Sequence, residues 1–127
     1  MKRFRAETLQ ARDSRMNEGL LWVGGRPYPA LVEAWTISDP WFATRRARVH
    51  TETPVTLSVV WGSCTYSDNH HSETVDDFQE EPEKVEVGIL HKGELVGEPL
   101  GWQSTDQVLA LIGQAQCGLM PEPEEYA

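Results

Sequence analysis

Two short runs of alternating apolar residues constrain the fold of this chain more than any other feature. In the segment VTLSVVW every second residue is large and apolar, and the segment KVEVGIL repeats that pattern, with Glu86 between two of its apolar positions. Successive side chains of a β-strand point to opposite faces, so both segments predict strands with one buried face and Glu86 pointing outward. The residues predicted to face inward are Leu57, Val59, Trp61, Val85, Val87 and Ile89.

Further strands are predicted on either side of these two. The segments LLWV and ALVEAWTI flank a Gly/Pro-rich connection, GGRPYP, and both faces of the second are largely apolar, as in a strand with neighbours on each side. The segment ATRRARVHTE is interpreted as an exposed strand or a short helix, and residues 4–16 as a short helix with a thin apolar stripe. The tetrapeptide HKGE predicts a hairpin turn.

A C-terminal helix is predicted from its own end signals. Ser104 and Gln107, in the segment STDQ, have the spacing of a capping box, in which each side chain binds the other residue's backbone N–H. Gly118 stands where a left-handed C-terminal cap belongs. The apolar face of the helix is predicted to contain Val108, Leu111, Ile112 and Ala115.

These elements predict an α+β fold: a curved, mostly antiparallel sheet of five or six strands with the C-terminal helix packed on one face. Residues 1–120 are expected to form a single globular domain, and residues 121–127 an acidic disordered tail. The predicted core consists of Trp22, Leu31, Trp35, Leu57, Val59, Trp61, Val85, Val87, Ile89, Val108, Leu111 and Ile112.

The charge of the chain is unevenly distributed. Residues 1–48 contain nine Lys/Arg and five Asp/Glu, whereas residues 49–127 contain two Lys and fifteen Asp/Glu, and the net charge of the 127 residues is −9. A strongly acidic surface disfavours direct binding of nucleic acid. It is compatible with binding a partner that has a basic surface, or with a charge that serves solubility alone.

No apolar leader follows the basic residues at the start of the chain, and no run approaches the roughly 18 apolar residues of a membrane-spanning helix. We therefore expect a cytoplasmic protein without membrane contact. In that compartment Cys64 and Cys117 are expected to be reduced thiols.

The loop after the strongest strand reads GSCTYSDNHH and offers three interpretations: a metal site, a nucleophile or an ordinary polar turn. Adjacent histidines on an extended chain point to opposite faces, so His70 and His71 are poorly placed to share one ion. Cys64 as a nucleophile would need a base and an orienting group. The polar turn is favoured, with Tyr66 anchoring the loop, so no catalytic, metal-binding or cofactor-binding residue is predicted.

Two charged segments are candidate binding sites. The run SETVDDFQEEPE is interpreted as a solvated acidic loop or as a surface that attracts a basic partner. The segment WFATRRAR places Arg45, Arg46 and Arg48 beside two aromatic residues, a pattern that can bind single-stranded nucleic acid. Against the net charge it is better interpreted as an exposed strand, or as an intramolecular partner of the acidic loop.

The region from Val55 to Gln116 resembles small bacteriophage and prophage proteins, particularly those of actinobacterial hosts. The resemblance rests on the segment SVVWGSCTYSDN, the strand VEVGIL and the segment STDQVLALIG, about half of the chain. It implies a non-enzymatic accessory protein that binds a host protein, such as a defence or transcription component, and inhibits or redirects it in the bacterial cytoplasm. No catalytic residue is carried over by the resemblance.

The expected partner is a host protein with a basic surface, and a homodimer remains open. Two alternatives also remain open: a small enzyme or ligand-binding protein that uses the Cys64–His71 loop, and a structural or assembly component of the virion. The residues predicted to bind the partner are Tyr66, Asp68, Asn69, Asp76, Asp77, Glu80 and Glu81.

Overall fold

The computed structural model describes residues 3–8, 16–34, 44–62, 65–67 and 81–119. Within these ranges the chain forms eight strands followed by one helix. The elements are β1 (Phe4–Thr8), β2 (Met16–Val23), β3 (Arg26–Ala34), β4 (Thr44–His50), β5 (Val55–Gly62), β6 (Lys84–His91), β7 (Glu94–Leu95), β8 (Leu100–Ser104) and α1 (Thr105–Gln116).

The strands form one open antiparallel sheet in which each strand from β1 to β7 pairs with the next along the chain. The strand β6 pairs with two strands along the same edge: β8 pairs with its first half and β7 with its last two residues. The predicted α+β class and C-terminal helix are confirmed, but the sheet has more strands than the five or six expected. Two reasons account for the difference: residues 4–8 form a strand rather than the start of a helix, and β8 was not predicted.

Two-residue turns connect two of the hairpins. Gly24 and Gly25 join β2 to β3 with φ values of 58° and 89°, and Lys92 and Gly93 join β6 to β7 with φ values of 52° and 83°. Positive φ at both central residues is the turn whose twist matches the strands it connects. The hairpin predicted at HKGE is therefore confirmed. The GGRPYP connection is shorter than predicted, because its last four residues belong to β3.

The core lies between the inner face of the sheet and α1. Nine of the twelve predicted core residues are buried, and the core adds Phe4, Leu21, Val23 and Val32. Trp22 and Leu31 were wrongly predicted: both are half-buried on the outer face, because a strand that buries Leu21 and Val23 must turn Trp22 away from them. Trp35 lies outside the described residues, as does the predicted tail 121–127.

The helix is fixed at both ends. At its start the Gln107 N–H donates to Ser104 Oγ at 3.4 Å, and the Ser104 N–H donates to Gln107 Oε1 at 2.8 Å, which confirms the capping box. At its end Gly118 has a φ of 75° and the Leu119 N–H donates to the Gln114 carbonyl at 2.9 Å. These bonds confirm the predicted left-handed cap. The helix lies across the inner face, in contact with β2, β5 and β8.

The curvature of the sheet brings its first strand back towards β6. The Phe4 N–H donates to the Pro82 carbonyl at 3.0 Å, directly before β6 begins. Arg3 reinforces this approach, since one of its guanidinium nitrogens donates to the Glu81 carbonyl at 3.3 Å and another lies 3.4 Å from the Glu83 carboxylate. The outer face of the sheet is therefore convex.

Candidate protein-binding surface

The segment after β5 is tied into a compact turn by two buried hydroxyl groups. Thr65 Oγ1 donates to the Gly62 carbonyl at 2.7 Å and lies 2.7 Å from Ser67 Oγ, which in turn accepts the Gly62 N–H at 3.3 Å. Both hydroxyl-bearing residues are buried, whereas 61% of Tyr66 between them is exposed. The described part of this loop, residues 65–67, is thus a polar turn, as predicted, and Tyr66 points outward from it.

The backbone of Tyr66 is held from both sides. Its carbonyl accepts the Trp102 N–H at 2.8 Å, and its N–H donates to the carboxylate of Glu86. Tyr66 also lies directly on Gly101, where an added Cβ would come within 2.7 Å of Tyr66 Cβ. The turn after β5 is thereby fixed to β6 and β8. Tyr66 was predicted to anchor the loop, and the anchor is its backbone rather than its exposed ring.

A β-bulge places Trp102 beside this turn. Val85 pairs with Gln103 and Val87 with Leu100, so that two residues of β8, Gly101 and Trp102, stand opposite the single residue Glu86. Trp102 has a φ of 54°, a left-handed conformation that costs a residue with a side chain about 1–2 kcal/mol. In this conformation 43% of Trp102 is exposed. We refer to Tyr66, Trp102 and the adjacent Glu86 as the aromatic surface.

Glu86 supplies the negative charge of the aromatic surface. It is half-buried, and burial raises the pKa of its carboxyl above the ordinary value, while the Tyr66 N–H and the positive charge of Arg46 oppose that rise. The strand register explains the approach of Arg46: it pairs with Val60, and Val60 pairs with Glu86, so the three side chains form a row across the outer face. The raised pKa shows that the two favourable interactions do not fully offset burial of the carboxylate.

A second tryptophan lies on the outer face at the far end of the sheet. The Arg5 guanidinium lies over the Trp22 ring, 4.9 Å from its centroid, and Trp22 Nε1 donates to the Glu7 carboxylate at 3.0 Å. Glu7 is also 3.6 Å from the Arg5 guanidinium. The indole, the guanidinium and the carboxylate thus satisfy one another within the chain.

The structure brings one of the predicted partner-binding residues into the aromatic surface, Tyr66. Glu81 is elsewhere: it is half-buried and accepts from Arg3 through its backbone carbonyl. The remaining five predicted residues lie outside the described ranges: Asp68, Asn69, Asp76, Asp77 and Glu80.

The three arginines of the segment WFATRRAR lie on β4, where the predicted alternative of a strand is confirmed, and all three are half-buried. Among the described residues, Arg46 lies near Glu86 of β6 and Arg3 pairs with Glu83. The predicted pairing of the three arginines with the acidic loop falls on loop residues 68–80, which lie outside the described ranges.

Two residues of the aromatic surface were not predicted from the sequence. These are Trp102, which supplies an exposed ring, and Glu86, which supplies the negative charge. The prediction that Glu86 points outward is confirmed, but its neighbours follow from the bulge, which breaks the alternation from which strands are predicted. The exposed Gly-Trp pair between Pro99 and the capping box was the available signal.

The alternative based on the Cys64–His71 loop falls mostly on residues outside the described ranges, including Cys64, His70 and His71. Within the described ranges, no group of three or more His, Cys, Asp or Glu side chains is placed to hold a metal ion. The other cysteine, Cys117, is an exposed free thiol at the end of α1. The described helix is too short to span a membrane.

No family model, curated protein or solved structure matches the chain.

Proposed function

We propose that this chain is a non-enzymatic protein-binding module that engages its partner through the aromatic surface. The observation that supports the proposal is the conformation of Trp102, a large residue held exposed at a left-handed bulge position beside the exposed Tyr66. Backbone strain of this kind persists where the surrounding structure enforces it, and it is concentrated at functional sites. Folding alone would favour glycine at this position.

The composition of the aromatic surface suits a protein partner. Tyrosine and tryptophan are enriched among the residues that dominate binding energy at protein interfaces, because they offer a large, rigid contact area with a polar group. Because the backbone of Tyr66 is clamped by Glu86 and Trp102, little conformational entropy of this backbone would be lost on binding.

The resemblance to small bacteriophage proteins supplies the biological setting of the proposal. The partner is a protein of the bacterial host, such as a defence or transcription component, which the chain inhibits or redirects in the host cytoplasm. The charge of −9 favours a partner with a basic surface. A virion assembly role would instead place the partner among the other proteins of the particle.

Affinity capture from host lysate tests this proposal with three proteins: the wild type, a Tyr66→Ala/Trp102→Ala variant and a Leu119→Ala control. Leu119 is also exposed, by 59%, but lies beyond the end of α1. We expect a host protein that the wild type and the control retain and that the double variant loses. Equal retention by the folded double variant would show that the interface lies elsewhere.

A further inference from the structure

We infer that a second copy of this chain docks on the outer face of β2, β3 and β4, and that the two copies form a symmetric dimer around Leu31. The inference goes beyond the proposed function, because it concerns a surface separate from the aromatic surface. It is carried by an apolar groove on this face and by a glutamate and an arginine placed on either side of Leu31.

The outer face of β2 and β3 is largely apolar, although the solvated face of an antiparallel sheet is ordinarily polar. From Glu18 onwards, the apolar side chains of this face belong to Leu20, Trp22, Pro27, Pro29 and Leu31. A groove of about 390 Å³ opens between Leu20, Pro29 and Leu31, and Glu18 and His50 also line it. Exposed apolar surface framed by polar residues is typical of an interaction site.

Three neighbouring strands place opposite charges on either side of Leu31. Glu18 of β2 pairs with Leu31 of β3, and Leu31 pairs with Arg48 of β4. We call these three residues the charged row. Neighbouring strands lie about 4.8 Å apart, so the two ends of the row are separated by roughly 10 Å along the backbone plane.

The two charges of the row are available to a partner. Among the described residues, no ion pair or hydrogen bond engages the side chain of Glu18 or of Arg48. Arg48 is half-buried, and its Nε atom is buried without a hydrogen-bond acceptor. A buried donor without an acceptor costs the free chain stability, and an incoming carboxylate relieves that cost.

The charged row is complementary to itself. When a two-fold axis runs along β3 over Leu31, Glu18 of each copy faces Arg48 of the other, and the two Leu31 side chains meet at the axis. A symmetric contact of this kind uses the same patch on both copies, and the side chains of two aligned sheets about 10 Å apart interdigitate. An axis along the row would instead place like charges opposite each other, so charge selects the orientation.

The distribution of charge along the chain favours the same contact. Residues 1–48 contain nine Lys/Arg and five Asp/Glu, so this part of an otherwise acidic chain has a positive balance. Association through β2, β3 and β4 therefore joins the parts of two acidic chains that repel each other least. Because the outer face is convex, the contact is confined to these strands, and β6 and β8 with the aromatic surface lie three and four strands away from β3.

Sedimentation velocity of the full chain tests the inference at concentrations from about 5 to 500 µM, a range suited to an interface confined to a few strands. We expect a reversible equilibrium between monomer and dimer. Glu18→Arg and Arg48→Glu each place like charges opposite each other twice, so each should raise the dissociation constant about tenfold or more. Glu98→Arg is the matched control, because it makes the same change of charge in the exposed connection between β7 and β8. It should leave the dimer intact.

Two rescue experiments separate the loss of a charge pair from the loss of folding. The double variant Glu18→Arg/Arg48→Glu exchanges the two charges and should dimerise again. A mixture of the two single variants should form a heterodimer, because one variant contributes two positive charges to the row and the other contributes two negative charges. Thermal unfolding establishes that each variant is folded.

Three results would overturn the inference: a wild type that remains monomeric over the whole concentration range, a dimer that the single substitutions leave intact, or folded single variants that do not associate when mixed. If a single variant fails to fold, the double variant decides, and its failure to dimerise overturns the inference. The proposed function is unaffected by each of these results, since the aromatic surface lies outside the contact.

Discussion

Trp22 and Trp102 both lie on the outer face of the sheet beside a glutamate, and they differ in almost everything else. Trp22 lies in β2, which has neighbours on both sides, and is covered by Arg5. Trp102 lies in β8, where a bulge forces it into a left-handed conformation, and 43% of it is exposed. The Trp22 ring lies against a cation of the same chain, whereas the conformation of Trp102 costs the fold free energy. That difference is the reason to assign binding to Trp102.

The glutamates of the two sites reinforce the contrast. Glu7 is exposed and binds both the Trp22 indole and the Arg5 guanidinium. Glu86 is half-buried, and burial is the largest influence on the pKa of its carboxyl. A partly buried charge that is not fully compensated lowers the stability of the folded protein.

The two outer tryptophans should contribute little to the core. Trp61 on the inner face is the reference for how much a buried tryptophan contributes to the free energy of unfolding. Trp61 is fully buried between the sheet and α1. We expect Trp61→Ala to lower the free energy of unfolding by about 3–5 kcal/mol, as for large core residues replaced by alanine. Trp102→Ala should change it by less than about 1 kcal/mol. Urea unfolding measures both, and a loss below ~1 kcal/mol for Trp61→Ala would mean that β5 has the opposite register.

The close approach of Gly101 to Tyr66 can be broken by one methyl group. In Gly101→Ala the new Cβ would lie 2.7 Å from Tyr66 Cβ, so the turn that presents Tyr66 must shift. We expect a loss of about 1–3 kcal/mol in the free energy of unfolding, typical of overpacking, together with weaker retention of the host partner.

Gly113→Ala is the matched control for that substitution. Gly113 is exposed in α1 with open space where a Cβ would stand, so alanine should stabilise the helix by about 0.5–1 kcal/mol. Urea unfolding should therefore give opposite signs for the two glycines. A stabilised Gly101→Ala would show that the turn after β5 is free to move away from β8.

The strain at Trp102 predicts an inverted order of substitutions at the two tryptophans. Glycine tolerates a positive φ without steric cost, so Trp102→Gly should be more stable than Trp102→Ala by about 1 kcal/mol. Trp22 lies in a regular strand, where Trp22→Gly should be less stable than Trp22→Ala by roughly 0.5–1 kcal/mol. Thermal unfolding of the four variants gives the comparison, and the same order at both positions would contradict strain at Trp102. Both Trp102 variants should retain less of the host partner than the wild type does.

The parts of the fold that sequence predicted are those with a local period or a local end signal. The strands around Trp61 and Val87 follow from alternation, and the helix follows from Ser104, Gln107 and Gly118. The face of Trp22 was wrongly assigned because LLWV is apolar throughout and contains no polar residue to mark the outer side. A shift of one residue in such a run exchanges the two faces.

The aromatic surface could not be predicted in the same way because it is made by contacts between distant parts of the chain. Tyr66 was predicted from the polar turn in which it lies, but its neighbour Trp102 belongs to β8, and a backbone hydrogen bond joins the two. The bulge opposite Glu86 depends on the pairing of β8 with β6. No local pattern in LGWQS encodes that pairing.

The smallest effect expected distinguishes the two glutamates by their charge. The pKa of Glu86 is raised in the folded protein, so the folded state favours the protonated form. The charged form therefore lowers stability above the folded pKa, and this penalty is relieved as the pH falls through the folded pKa towards the ordinary value of 4.5. Glu86→Gln should be more stable than the wild type at pH 7, with a difference that shrinks as the pH is lowered through that range.

Glu7→Gln removes the ion pair with Arg5 and should instead be equal to or less stable than the wild type at pH 7, by about 0–1 kcal/mol. Urea unfolding of the three proteins between pH 4 and pH 7 measures both differences. A Glu86→Gln variant that is less stable than the wild type at pH 7 would show that Arg46 and the Tyr66 N–H already compensate the carboxylate.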